Sequence, residues 1–510
     1  MNDVFDVVCI GSGIAALSYS LARLIRDPGT RLLIVEKHRI PGGYATGFFR
    51  PRLQAHFEVS LHKLTGMGSC GNLRATLERL GVLAELDLVF PDTVFTLCHE
   101  GNSVIVPAHA ESARAALLAR FPHCEAGLQT VFDEIGSYGF DSYMQFQTLS
   151  GEYEPDIRRL RYAHANLKSL SVTAALHERI PDPLLRELLS LPSIYVGAFP
   201  EQISYLYFLH VWYAALFAQS AYLRGGATAL TAAFVARIQE LGGKVVTRAE
   251  AQKILIDHDT LTAQGVVTDA GTYASNEIIA NVAPRYALEH LIDHTLPGVE
   301  APAAAIAAQQ PASATTTLYL VLDSPPSNYG ISGCEMMLLA PDPDAARGSR
   351  EAARAAQADE TLSERAYWHD SAIEVTNYHQ LDPARGCVVV VNALDLIHHW
   401  PMRKTPEYRA KKARAKSVLL GRLLAAFPAL EGHVRYAEVA TPRTSLRYTH
   451  NTDGSGYGAI AAPSDGKRAP SRRLPFRNLQ FVSHWTSGGG YEASIGYGAL
   501  LGFQVSERIS

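Results

Sequence analysis

The stretch from Val7 to Glu36 constrains this chain more than any other. Val7-Val8-Cys9-Ile10 is an apolar run, and Gly11-Ser12-Gly13-Ile14-Ala15-Ala16 follows it at once. A buried strand that breaks into a GxGxxA turn and then a helix is the opening unit of a dinucleotide-binding fold. Gly11 permits the tight turn, and Gly13 lets the backbone approach a pyrophosphate with no Cβ in the way. Ala16 is small enough for the helix to pack on the strand. Ser12 and Ala15 complete a turn whose free N–H groups, at a helix N-terminus, favour a phosphate. A second apolar strand, Leu32 to Val35, ends in Glu36, with Lys37 behind it. The acid falls about 20 residues past the turn, where a carboxylate accepts from a ribose 2′-hydroxyl and repels a 2′-phosphate.

Such a turn serves NAD and FAD alike. The next segment, Pro41-Gly42-Gly43-Tyr44-Ala45-Thr46, separates them. A second glycine pair close behind the acid suits a ligand that continues past its pyrophosphate into a ribityl chain and flavin, so FAD is the expected cofactor. No second fingerprint for NAD(P)H follows, because Gly225-Gly226 lacks the strand-turn-helix context. A flavin here must be reoxidised by oxygen, a quinone or another acceptor, or cycle without net turnover.

With 510 residues the chain exceeds one compact core and implies two or three units. A net charge of -4 gives no reason to expect a nucleic-acid partner. The six cysteines are scattered without a CxxC pair, which suits a reducing compartment and argues against a disulfide framework or a zinc site. His398-His399 is adjacent rather than metal-spaced, so no metal is expected. The first residues run into a strand without a basic n-region, so no signal peptide is expected. The most apolar window, Ile194 to Leu223, is broken by Pro200, Glu201, Gln202, His210 and Gln219 and reads as buried helix or pocket wall. The expected location is cytoplasmic, with peripheral membrane contact left open. Oligomeric state is also left open.

The alternation of strand, helix, strand and glycine turn is that of an α/β protein. Strands are expected at Lys244 to Thr247, Gln252 to Ile256, Ala263 to Thr268, Glu277 to Asn281, Thr316 to Leu322 and Val388 to Asn392, and a helix over Thr228 to Leu241. Pro341 to Glu364 reads as a surface helix or mobile insertion. Pro406 to Phe427 reads as an amphipathic helix with Arg409, Lys411, Lys412, Arg414 and Lys416 on a solvated face. The tail from Asn478 returns to strand, glycine loop and helix. The expected plan is a discontinuous Rossmann-like FAD domain (1–100, 221–311, 440–510) with an inserted α+β substrate domain (101–220, 312–439).

Over nearly its whole length the chain resembles the phytoene desaturase superfamily, which includes carotenoid desaturases, carotenoid isomerases and retinol saturases. The resemblance is carried by Gly42-Gly43-Tyr44-Ala45 and by the strand Phe57-Glu58-Val59-Ser60-Leu61-His62. It continues through Gly225-Gly226, Gly242-Gly243-Lys244-Val245, Thr441-Pro442-Arg443-Thr444, Gly454-Ser455-Gly456-Tyr457-Gly458 and Phe481 to Gly490. It implies flavin contacts from Ser60 and Leu61, adenine contact from the backbone of Ala251, and further cofactor contacts at Gly490 and Tyr491. Three positions depart from the family pattern. Ser483-His484 replaces Gly-Asp, leaving His484 to bond the ribityl chain; Ser60 replaces a glycine; and Tyr44 replaces a common arginine.

The resemblance implies an FAD-dependent oxidoreductase acting on carbon–carbon bonds of an apolar, polyene or isoprenoid-like substrate, by desaturation, saturation or cis-trans isomerisation. His62, on a strand expected to pass the flavin, is the candidate for proton transfer; Glu58 reads as structural. The aromatic run Tyr195, Phe199, Tyr205, Tyr207, Phe208, Trp212, Tyr213, Phe217, Tyr222 reads either as the wall of an elongated apolar pocket or as helical core. Two other readings stay open. One is an amine oxidase relative that oxidises a C–N bond; the other is a flavoprotein that binds a lipid without turning it over.

Overall fold

The computed structural model describes residues 4–60, 62–340, 342–355, 360–463 and 474–504. The fold is α/β and is built on two large sheets. Val4–Ile10 is fully buried from Val7 onward and lies parallel to Leu32–Glu36 on one side and to Gly271–Ala280 on the other. Lys244–Thr247 extends the sheet beyond Leu32–Glu36, also in parallel. A strand covered on both faces reads as an unbroken apolar run, which is why Val7 to Ile10 shows no alternation.

Gly271–Ala280 is longer than the expected strand at Glu277 to Asn281, and its two halves do different work. Its first residues pair antiparallel with Ala263–Thr268, which pairs with Ala251–Ile256; its last three pair in parallel with Leu479–Phe481. The chain's last described segment is thereby brought beside its first. Helix Ile14–Arg26 packs against helix Tyr491–Phe503, where Gly498 and Gly502 leave no room for a Cβ.

The second sheet runs in the order 434–440, 314–322, 388–395, 373–377, 335–338, 93–99, 102–107. All its pairs are antiparallel except that of Glu335–Leu338 with Thr93–His99. Helices between residues 110 and 216 pack around a core that includes Phe95, Leu128, Phe208 and Trp212.

Helix Pro406–Ala426 forms as expected, but Lys411 does not lie on a solvated face. Its side chain is fully buried with Nζ 5.4 and 5.6 Å from the ring centres of Trp368 and Trp400 and 3.6 Å from Glu364. Two indole faces and a carboxylate replace the lost hydration, so the charge stripe hides one inward-facing cation. Pro343–Ala355 and Glu360–Glu364 are helical; Pro341 and residues 356–359 of that stretch lie outside the described residues.

Candidate active site

The glycine turn closes through short backbone bonds: Gly11 N–H donates to Val35 O (2.8 Å) and Asn281 N–H to Ile10 O (2.9 Å). Gly11 has φ +86°, a conformation other residues rarely adopt. Ser12 is buried and ties three pieces together. Its N–H and hydroxyl donate to Glu36 Oε2 (3.0 and 2.6 Å), and its hydroxyl accepts from Gly42 N–H (3.1 Å). Glu36 Oε1 accepts from His38 N–H (2.8 Å), and acceptor capacity remains for a ligand hydroxyl.

Gly13 bridges Gly42, and a Cβ on Gly13 would collide with Asn281 Oδ1. The second glycine pair is thus pressed onto the turn, with 3.3 Å between a Cβ on Gly43 and Gly13 Cα. Ala15 lines the cavity beside the turn, whereas Ala16 is buried in the packing behind it. Lys37 and Ala251, at the start of strand Ala251–Ile256, line the same end. Burial lowers the pKa of the Lys37 ammonium.

Tyr44 sits with its hydroxyl 3.1 and 3.0 Å from the carbonyls of Gly454 and Ser455 and its ring edge-on to His484. Ser60, where a glycine was expected, turns its hydroxyl away into bonds with Tyr44 O (2.8 Å) and the Tyr491 hydroxyl (2.9 Å). Leu61 lies outside the described residues. His484 opens the short helix His484–Ser487, and its Nε2 accepts from Asn451 Nδ2 (2.7 Å). The Asn451 amide is oriented by Trp485 Nε1, which donates to its Oδ1 (2.5 Å). That pattern leaves the His484 Nδ1–H as a donor, and burial pushes the imidazole pKa down to about 4. Gly488 and Gly490, at φ +94° and +96°, line the cavity, and a Cβ on either would meet nothing within 4 Å.

These features fit a dinucleotide cofactor. N–H groups at a helix start have no helical partner, the ribose acid keeps acceptor capacity, and glycines border open space where a ligand must pass closely.

One cavity of about 1590 Å³ runs from the glycine turn past Tyr44, His484 and Tyr491 to Tyr195, Tyr207, Glu374 and Asn392. A pocket for one small molecule measures about 300–1,000 Å³, so the space exceeds what a single ligand of that size needs. The aromatic run divides. Tyr195 and Tyr207 line the cavity, while Phe199, Tyr205, Phe208, Trp212 and Tyr222 are core. In helix Tyr205–Leu216 the positions 207, 210, 211 and 214 face the cavity, and 205, 208, 209 and 212 are buried on the other side.

Beyond the expected residues, the structure gathers a polar cluster on the cavity side of the second sheet. Glu374 pairs directly with Asn392, and Asn392 with Thr317, in the strand register. Asn392 Oδ1 accepts from Thr317 Oγ1 (2.8 Å), while its Nδ2 donates to Glu374 Oε2 and His62 Nε2 (both 3.2 Å). His62 Nδ1 meets Thr376 Oγ1 at 2.9 Å. Burial lowers the His62 pKa to about 4, so the ring is neutral near pH 7. Lys63 Nζ pairs with Glu335 Oε2 at 2.7 Å, and the Tyr195 hydroxyl donates to Glu335 Oε1. Nearby, Glu492 accepts from the Tyr143 hydroxyl (2.5 Å) and Thr65 Oγ1 (2.6 Å), and burial raises its pKa. Glu58 is structural in position: it pairs with Arg385 at 2.6 Å and accepts from Ala227 N–H at the start of helix Gly226–Glu240. The only sequence signal for Glu335 and Glu374 was a carboxylate set inside a strand.

Comparison with known proteins agrees with this geometry. Residues 9–80 match the NAD(P)-binding Rossmann-like domain. The chain is 24% identical over 480 residues to the chloroplastic prolycopene isomerase of Arabidopsis thaliana, covering 90% of this chain and 75% of that one. It is 23% identical over 496 residues to human all-trans-retinol 13,14-reductase, covering 89% and 77%. An oxidoreductase from Methanosarcina mazei superposes with a TM-score of 0.63 at 18% identity, over 96% of this chain and 98% of that one. Over most of its length this chain is similar to members of the phytoene desaturase-like superfamily. It shares its fold, though not its sequence, with amine oxidases: cyclohexylamine oxidase from Brevibacterium oxydans superposes at TM-score 0.61 and 17% identity, over 98% of each chain. By name, the Arabidopsis and human relatives are an isomerase and a reductase. Among the described residues no helix is long and apolar enough to cross a membrane.

Proposed function

We propose that this chain is an FAD-dependent oxidoreductase acting on carbon–carbon bonds of an apolar polyene or isoprenoid-like molecule, by desaturation, saturation or cis-trans isomerisation. The observation that carries the reading is the single cavity that continues from the dinucleotide turn to a wall of helix Tyr205–Leu216 and the second sheet. FAD is favoured over NAD because the cradle extends past the pyrophosphate turn, through Gly42 and Gly43, to His484, Gly488 and Gly490. The names of two relatives, an isomerase of prolycopene and a reductase of all-trans-retinol, support the substrate class.

When bound, the flavin supplies hydride chemistry. The chain holds and orients. Gly11, Gly13 and the helix N-terminus would take the pyrophosphate, Glu36 the ribose, and Lys37 and Ala251 would flank the adenine. With FAD bound, His484 Nδ1 would donate to the ribityl chain, and Tyr44, Ser60 and Tyr491 would border the ring. His62 stands among the polar groups available for proton handling. In this division residues 1–100, 221–311 and 440–510 hold the cofactor and 101–220 and 312–439 the substrate, with strand Thr93–His99 reaching across into the second sheet. Peripheral membrane contact belongs to the same proposal, since such a substrate partitions into lipid.

Denaturing the purified yellow protein and identifying the released nucleotide tests the cofactor. FAD is expected; release of NAD alone, or no nucleotide after supplementation with FAD, overturns the reading.

A further inference from the structure

The polar cluster on the second sheet has one member whose surroundings differ from all the others. Glu335 has a cation, Lys63, and a phenol, Tyr195, on its two oxygens. Glu374 has neither. It is 3% exposed and lines the cavity, its Oε2 accepts only the Asn392 amide, and its Oε1 has no hydrogen-bond partner. His62 Nδ1 lies 3.4 Å from Oε1, and its proton is directed at Thr376. Two neighbouring carboxyls in a dry site cannot both ionise, and the ion pair with Lys63 fixes the charge on Glu335. Burial, and then the Glu335 charge, hold the Glu374 carboxyl well above its ordinary pKa. A protonated carboxyl that lines the cavity, its proton shared at most with the Glu335 carboxylate beside it, is placed to give that proton to a ligand.

Resting on the substrate reading above, we propose that Glu374 is the proton donor to the conjugated chain of the substrate, and that the reaction it supports is cis-trans isomerisation by protonation and deprotonation. The Glu374 O–H bond breaks and its electron pair stays on oxygen. The π pair of one double bond forms a C–H bond, leaving positive charge spread over the rest of the conjugated chain. The bond that has lost its double-bond character rotates. The carboxylate of Glu374 then removes a proton from the same carbon, and the C–H pair restores the double bond. No electrons are gained or lost overall, and no co-reactant is needed. Asn392, held by Thr317, fixes the carboxyl, and His62, held by Thr376, orients that amide through its Nε2; both are positioning residues that do not carry the proton. Lys63, Glu335, Tyr195, Tyr378 and Tyr457 are the other titratable groups around it.

The test compares the FAD-loaded wild type with Glu374→Gln in D₂O, using cis-configured carotenes as probe. Product isomers are separated by chromatography and their deuterium content is read by mass spectrometry. Wild-type product should gain deuterium. Glu374→Gln should lose conversion by about 100-fold or more, the span of a general acid, while binding flavin and carotene within about twofold of wild type. Infrared spectra give a readout independent of turnover: a carboxylic-acid C=O band that shifts in D₂O should be present in wild type and missing in Glu374→Gln. Conversion retained in Glu374→Gln, product free of deuterium, or an unchanged infrared band overturns the proposal. Wild type that converts no carotene, with the infrared band intact, instead refutes the substrate reading on which the proposal rests.

Discussion

His484 stands where the superfamily usually carries an aspartate, and its replacement by alanine separates two of its bonds. Its Nε2 accepts from Asn451, whose amide also donates to Ser455 O, so Asn451 keeps one acceptor in the variant. Losing that bond costs the fold about 1 kcal/mol, a drop of about 1 °C in melting temperature for a protein of this size. In the proposed placement, losing the Nδ1–H donor would remove one bond to the ribityl chain, again about 1 kcal/mol, and should weaken FAD binding roughly fivefold. Acidity gives a second arm. The ordinary imidazole pKa of 6.5 falls to about 4 in the fold because burial penalises the charged ring. Between those values the unfolded chain binds a proton that the folded chain does not, so stability falls as pH drops from 6.5 to 4, by at most about 3 kcal/mol for this group. His62 and His210 share the window, so the difference between wild type and His484→Ala isolates the contribution of His484. FAD titration of the apoprotein and denaturant melts at pH 7 and pH 5 provide both readouts. Unchanged FAD affinity together with an unchanged pH slope refutes the assignment.

Gly13→Val drives a Cβ into Asn281, whose Nδ2 donates to Val482 O (2.5 Å). The variant should lose flavin and about 2–4 kcal/mol of stability from overpacking and the broken bond, read by absorbance and chemical denaturation. Arg385→Met leaves Glu58 buried without its cation and should cost about 3–5 kcal/mol. Adding Glu58→Gln should recover most of it, so a double-mutant cycle with no coupling contradicts the pairing. Tyr207→Asp puts an unpaired carboxylate on the cavity wall and should impair polyene handling while leaving FAD affinity near wild type; equal loss of both places Tyr207 against the cofactor instead.

The nucleotide end of the site was legible in the sequence because it is local. Gly11, Gly13, Gly42 and Gly43 are set by backbone and Glu36 by short spacing, and the runs that lead to the turn and the acid, Val7 to Ile10 and Leu32 to Val35, are apolar. The substrate end is not local. His62 meets Asn392 across 330 positions, through the register of a sheet that no short motif announces. The apolar window Ile194 to Leu223 read as buried helix or pocket wall, and its periodicity did not tell which face of helix Tyr205–Leu216 meets a cavity. The charge run of Pro406–Ala426 was equally ambiguous, since Lys411 is distinguished from its neighbours only by two distant tryptophans.

The most direct measurement is an anaerobic and aerobic panel of polyenes and primary amines on the FAD-loaded protein, following the flavin band and the products together. A superfamily enzyme of the proposed kind changes the bond order or geometry of at least one polyene or isoprenoid and releases no peroxide with amines. Bleaching by amines with peroxide release, and no change in any polyene, contradicts it.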